Sequence, residues 1–226
     1  MIVSMPREKE KHHRKLGRGD RGEVTVFAAP MFAGKSGRLI AEAEKFRRAG
    51  IPLFIIKHPL DNRYIGAGQI NSHDGRSVTC EAYADPFEAY RRIQKIDPLV
   101  VIWDEVQFYT ENQDELLAVV ERLADEGRIV MLAGLELDFR GEVFGPMGKL
   151  MAHADKVEKL TAVCAVCGSV KANRTQRLIS GQPVSYHNAV ILVGAAEAYE
   201  ARCANCHKVP GAPNFDAILE SFKRGV

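Results

Sequence analysis

Short unbroken apolar runs alternate along this chain with segments whose apolar positions recur at helical spacing. Val24-Thr25-Val26-Phe27-Ala28 predicts a buried strand, and Leu39, Ile40, Ala43 and Phe46 then fall on one helical face, with Gly50 placed to end that helix. Residues 53–56 predict a second strand, 87–96 a helix opened by Asp85-Pro86, and 99–103 a third strand. Residues 113–126 predict a helix and 129–133 a fourth strand. Continuous apolar strands separated by helices imply an α/β fold, a parallel sheet with helices on both faces. Residues 61–81 interrupt the alternation with polar and glycine positions, and read as an excursion that can form a hairpin.

After about residue 160 the helical period disappears, and two Cys-x-x-Cys pairs bracket short β-like runs and turn formers. The organisation expected is a basic leader over 1–22, a P-loop nucleotide-binding domain over 23–159, a small zinc-binding β domain over 160–210 and a tail over 211–226.

Composition adds little except at the N-terminus. The formal net charge is +2 over 226 residues, with 46% hydrophobic and 27% charged positions, an ordinary soluble balance. Residues 1–22 carry seven Lys/Arg against three acids, which is +4, so the other 204 residues sum to −2. The body therefore lacks the basic excess of a nucleic-acid groove, and no nucleic-acid partner is expected. The leader is polar, reads as disordered, and has no apolar segment of a secretory signal. No run is long enough to span a bilayer, so a cytoplasmic protein without membrane contact is the expectation.

Chemistry enters at Ala29-Pro30-Met31-Phe32-Ala33-Gly34-Lys35-Ser36, directly after the first strand and opening the first helix. A loop of this kind cradles phosphate. Backbone N–H groups and the positive helix end face the anion, Lys35 adds a point charge, and the Ser36 hydroxyl can reach magnesium. The first position of the G-x-x-x-x-G-K-[ST] pattern is Ala29, which suits the loop if its φ stays negative. Asp104-Glu105 closes the apolar run 99–103. At the carboxyl end of a buried strand, Asp104 is placed to hold magnesium and Glu105 to take a proton from an attacking hydroxyl.

Cys164-x-x-Cys167 and Cys203-x-x-Cys206 read as a tetrahedral zinc site. Disulfides are the competing reading, disfavoured without a secretion signal. Four cysteines complete the shell, so His207 is set aside as a ligand, and Cys80 reads as a small buried hydrophobe. The ligands alone leave open whether the zinc lobe is structural or recognises a partner. Residues 190–199, taken in isolation, also read as an ordinary strand and turn.

Taken in order, these landmarks resemble the thymidine kinase family, and its bacterial members best. They are Pro30-Met31-Phe32-Ala33-Gly34-Lys35-Ser36, Asp61-Asn62-Arg63-Tyr64, Ser72-His73-Asp74-Gly75 and Asp104-Glu105-Val106-Gln107-Phe108, then Leu135-Glu136-Leu137-Asp138-Phe139-Arg140-Gly141. Arg174-Thr175-Gln176-Arg177-Leu178 and Val193-Gly194-Ala195-Ala196-Glu197-Ala198-Tyr199-Glu200 follow. The resemblance implies transfer of the ATP γ-phosphoryl group to the 5′-hydroxyl of thymidine or deoxyuridine, for deoxynucleotide salvage and DNA synthesis. It makes Glu105 the catalytic base, and makes residues 29–36, Asp104 and Gln107 the ATP and Mg²⁺ site. Met31, Phe108, Leu135, Phe139, Thr175 and Tyr199 then line the nucleoside pocket, with the backbone of Leu192, Val193 and Gly194. Arg63 falls near the transferring phosphate. A homotetramer, a structural Zn²⁺, a loop closing over thymidine and feedback inhibition by dTTP are implied as well. The competing classes are a zinc-containing P-loop ATPase acting on nucleic acid and a nucleotide-binding module without turnover.

Overall fold

The computed structural model describes residues 20–60, 68–71, 75–191, 198–214 and 219–220. Its larger part is a six-stranded sheet in which every pairing is parallel. The strands are β1 (Val24–Ala28), β2 (Leu53–Lys57), β5 (Glu81–Ala82), β6 (Val100–Asp104), β7 (Ile129–Gly134) and β8 (Lys156–Lys159). They lie in the order β5-β2-β6-β7-β1-β8. Between β2 and β5, β3 (Gln69–Asn71) and β4 (Ser77–Thr79) pair antiparallel, the hairpin expected of the excursion.

Four helices cover the sheet: α1 (Lys35–Arg48), α2 (Pro86–Ile96), α3 (Gln113–Asp125) and α4 (Met147–His153). Alternation along β6 shows why both faces need cover. Val101 and Trp103 enter a core with Ala89 and Ile93 of α2 and Leu116, Val120 and Leu123 of α3. Val100 and Ile102 enter the opposite core with Leu39, Ile40 and Ala43 of α1. Cys80 is buried in that second core.

The helix ends follow from local chemistry. The Asp85 carboxylate accepts from Phe87 N–H at 2.8 Å, and Pro86 starts α2 without an N–H to satisfy. At the end of α1, Gly50 takes φ 70°. Gly50 N–H reaches Arg47 O and Ile51 N–H reaches Phe46 O, closing a Schellman motif.

Beyond β8 the described chain contains no helix until residue 219. A second sheet of β9 (Arg174–Ile179), β10 (Gln182–Pro183) and β11 (Ala198–Arg202) is antiparallel throughout. No helix among the described residues is long and apolar enough to cross a membrane.

Candidate active site and metal centre

Residues 29–34 connect β1 to α1 at the carboxyl edge of the sheet. Ala29 is buried, and its N–H reaches Gly134 O at 3.3 Å; its φ is not in the left-handed region. The left-handed positions of the loop are Phe32 (φ 66°) and Gly34 (φ 77°), so the methyl of Ala29 meets no backbone conflict. The first turn of α1 has neither a side-chain cap nor an acidic residue. Its N–H groups and the helix dipole both suit an anion.

Lys35 and the two acids meet here. Its ammonium bonds Asp104 Oδ1, and lies 3.0 Å from Glu105 Oε1; all three side chains are at most 8% exposed. Neighbouring residues on an extended strand point to opposite faces, so convergence requires a break in the strand. Glu105 supplies it with φ 57° and ψ 37°, a left-handed conformation uncommon for a residue with a side chain. The chain then makes a 3-10 turn over Val106–Phe108.

Burial opposes the charge on Lys35, and the carboxylates of Asp104 and Glu105 more than offset it, so its pKa lies above the ordinary lysine value. Burial, with the like charge of Glu105 adding to it, lifts Asp104 above the usual carboxylate range against the pull of Lys35. Two carboxylates and the half-buried Ser36 at a phosphate-loop edge form a hard oxygen set suited to magnesium.

Around this centre, Gln107 is fully buried; its amide donates to Glu105 Oε2 and accepts from Leu135 N–H at 3.1 Å. Phe108 is half-buried, 5.8 Å in ring centroid from both His58 and Phe144. The smaller lobe comes in from the side. The Thr175 hydroxyl accepts from Met31 N–H at 3.0 Å, and Ala33 packs on the core of Ala162, Cys164, Ala172 and Ala201. Tyr199 pairs across the strands with Arg177. Arg177, buried, stacks over the Phe139 ring and donates to Ala189 O. Arg63, Leu192, Val193 and Gly194 lie outside the described residues.

His58 had no place in the sequence reading, and Arg140 and Arg177 stood there only inside landmark motifs, with no role assigned. A lone His after a strand, an arginine in the loop after β7 and an arginine on β9 carry no local signature of a role; only their neighbours in space mark them.

The sulfurs of Cys164, Cys167, Cys203 and Cys206 lie within 4.8 Å of one another. Cys167 and Cys203 are 3.7 Å apart, the edge of a tetrahedron with metal–sulfur bonds of about 2.3 Å. Turns present them: Gly168 N–H returns to Cys164 O and Cys206 N–H to Cys203 O. Backbone hydrogen bonding at Cys203 leads in holding the Cys164 thiol down to about 6, while hydrogen bonds to Cys203 and Cys167 push Cys206 up to about 12. Four soft sulfur donors in this arrangement fit zinc. His207 turns away from the sulfurs, its ring nitrogen 2.9 Å from Phe139 O.

Comparison with known families decides the class. The family model described as thymidine kinase matches residues 22–207, most of the chain. This chain belongs to the thymidine kinase family. Among solved structures, a replication initiator, DnaA bound to AMPPCP and single-stranded DNA, is similar at 13% identity and a TM-score of 0.39. That match covers 71% of this chain and 48% of the other, so the chain spans about half its length. So slight a likeness carries no argument.

Proposed function

We propose that this protein transfers the γ-phosphoryl group of ATP to the 5′-hydroxyl of thymidine, and to that of deoxyuridine, giving the 5′-monophosphate. The observation that carries the reading is the meeting of Lys35, Asp104 and Glu105 at the start of α1. The nucleoside hydroxyl is a poor nucleophile and must be held in line with the γ-phosphorus. Glu105 accepts its proton as the new O–P bond forms. The bond from the γ-phosphorus to the bridging oxygen breaks, and ADP leaves with that electron pair. Lys35 turns from the carboxylates to the phosphates and stabilises the charge there, which frees Glu105 Oε1 to accept from the hydroxyl. Asp104 and Ser36 would hold Mg²⁺, which neutralises charge on the phosphate oxygens when bound. Met31, Phe108, Leu135, Phe139, Thr175 and Tyr199 form the nucleoside wall in this reading, with Arg63 and the 192–194 backbone assigned from the family resemblance.

The zinc lobe, taken as a separate domain over 160–210, serves as the staple that seats this wall on the phosphate loop. Zinc bound by the four cysteines would supply structural cross-linking and no chemistry. A homotetramer, inhibition by dTTP and a cytoplasmic location complete the proposal.

The test is ATP turnover measured with thymidine, with single-stranded DNA and with neither. Thymidine-dependent formation of ADP and thymidine monophosphate is expected, with slow hydrolysis otherwise. Turnover stimulated by DNA and indifferent to thymidine would replace this reading with a nucleic-acid-dependent ATPase. Light scattering of the purified protein, with and without dTTP, tests the tetramer.

A further inference from the structure

Gln107 has no exposed surface, and both ends of its amide are committed. Leu135 N–H can bond only the oxygen end, at 3.1 Å, and this forces the NH₂ end toward Glu105 Oε2, to which it donates. Two glycines leave room for this residue, one beside its side chain and one beside its backbone. A Cβ on Gly134 would come within 2.8 Å of Gln107 Oε1, and one on Gly145 within 2.2 Å of the Gln107 carbonyl oxygen.

We propose that Gln107 is a positioning residue that locks the Glu105 carboxylate in register with the nucleoside wall at Leu135. The inference rests on the proposed role of Glu105 as the base. Glu105 stands on a left-handed residue just past the strand end, so the sheet no longer directs its side chain. Lys35 bonds its other oxygen, but a lysine that must move to the phosphates cannot be a fixed anchor during transfer. Gln107 stays put because its amide is tied to the backbone of the segment following β7. One buried side chain thereby sets the distance between the proton acceptor and the wall against which the nucleoside rests. Its contribution is to the geometry of transfer, in place of the ATP contact that the family resemblance implies for it, because both ends of its amide are already bonded to Glu105 and Leu135.

The experiment compares Gln107→Met, which keeps the length and removes both hydrogen bonds, with Gln107→Glu, which keeps an acceptor for Leu135 and removes the donor to Glu105. Steady-state kinetics with ATP and thymidine is paired with calorimetric ADP binding, a readout independent of turnover. Both variants should lose up to about 100-fold in kcat, the cost of a small misplacement, with KM values and ADP affinity close to native. In a Glu105→Gln background, either change should lower the residual rate no further, because its effect passes through Glu105. Should Gln107→Met fail to fold, Gln107→Glu reads the same split. A raised KM for ATP at native kcat would overturn the proposal in favour of direct nucleotide contact, and full additivity with Glu105→Gln would overturn it too. Near-native turnover in Glu105→Gln alone would remove the base assignment, and this proposal with it. Loss in Glu105→Gln with native kcat in both Gln107 variants would remove the positioning role alone.

Discussion

A ring nitrogen of His207 sits 2.9 Å from the carbonyl oxygen of Phe139, joining the residue after the last cysteine of the cluster to the loop that follows β7. The same phenylalanine ring is flanked by guanidinium groups, Arg177 at 5.3 Å and Arg140 at 5.6 Å from its centroid. Arg177 belongs to β9 of the smaller lobe, so two side chains of that lobe grip one residue of the larger part. The cysteine cluster is mechanically connected to the proposed nucleoside wall.

That connection predicts how metal removal is felt. Metal analysis should find about one zinc per chain, and Cys203→Ser should lower it while Cys80→Ser leaves it in place. Stripping zinc with a chelator should weaken thymidine binding more than ADP binding, since Phe139 loses its support while the phosphate loop keeps its helix. Calorimetry with each ligand checks it. Equal zinc loss in Cys203→Ser and Cys80→Ser would mean that the ligand set is wrong.

Glu105→Gln should lose about 10²–10⁴-fold in turnover with nucleotide binding largely intact, because an amide keeps the shape but accepts no proton. Lys35→Ala should weaken both ATP binding and rate. It also leaves two buried carboxylates without their cation, at a stability cost of about 3–5 kcal/mol readable by urea unfolding at pH 7. Unchanged stability in Lys35→Ala would show that the acids find other compensation.

His58 gives the fold a pH dependence. Burial is the main cause that lowers its pKa from 6.5 to about 4, with the nearby Glu105 pulling the other way. The folded form therefore binds the proton less well than the unfolded chain. Stability should be unaffected by this group above pH 6.5, and fall by up to about 3 kcal/mol as pH drops from 6.5 to about 4. Leu60 N–H donates to His58 Nδ1 at 3.2 Å, so His58→Asn keeps an acceptor and removes the titration. Urea unfolding at pH 7 and pH 5 should show a smaller loss in the variant; the same slope in both would assign the effect elsewhere.

Gly145→Ala should be poorly tolerated. Its φ is 51°, and the added carbon would stand 2.2 Å from a backbone oxygen of Gln107. Left-handed strain and overpacking together cost about 2–5 kcal/mol. A denaturation midpoint unchanged by the substitution would show that the turn shifts freely.

Much of the fold was legible because buried parallel strands leave an unmistakable apolar trace. The strand expected at 24–28 has the bounds observed for β1, and those expected at 53–56, 99–103 and 129–133 shift by one residue at most at either end. The edge strands were not legible. Lys156–Lys159 pairs with β1 through its backbone and keeps its side chains mostly in solvent, so no apolar pattern announces β8. The seven-residue α4 buries Met147 and Leu150 but is too short to show a period.

For the site, the line between sequence and tertiary structure is equally physical. Residue type and chain position alone placed Lys35 at a helix start, Asp104 and Glu105 at a strand end, and the cysteines in two tight pairs, because each of these is a local property of a few consecutive residues. Sequence could not say that Glu105 leaves the strand in a left-handed turn to meet Lys35, that Gln107 faces it, or that His207 and Arg177 hold Phe139. Apart from the short link between Glu105 and Gln107, those relations join segments tens of residues apart, and only packing of the sheet, its helices and the smaller lobe brings them into contact.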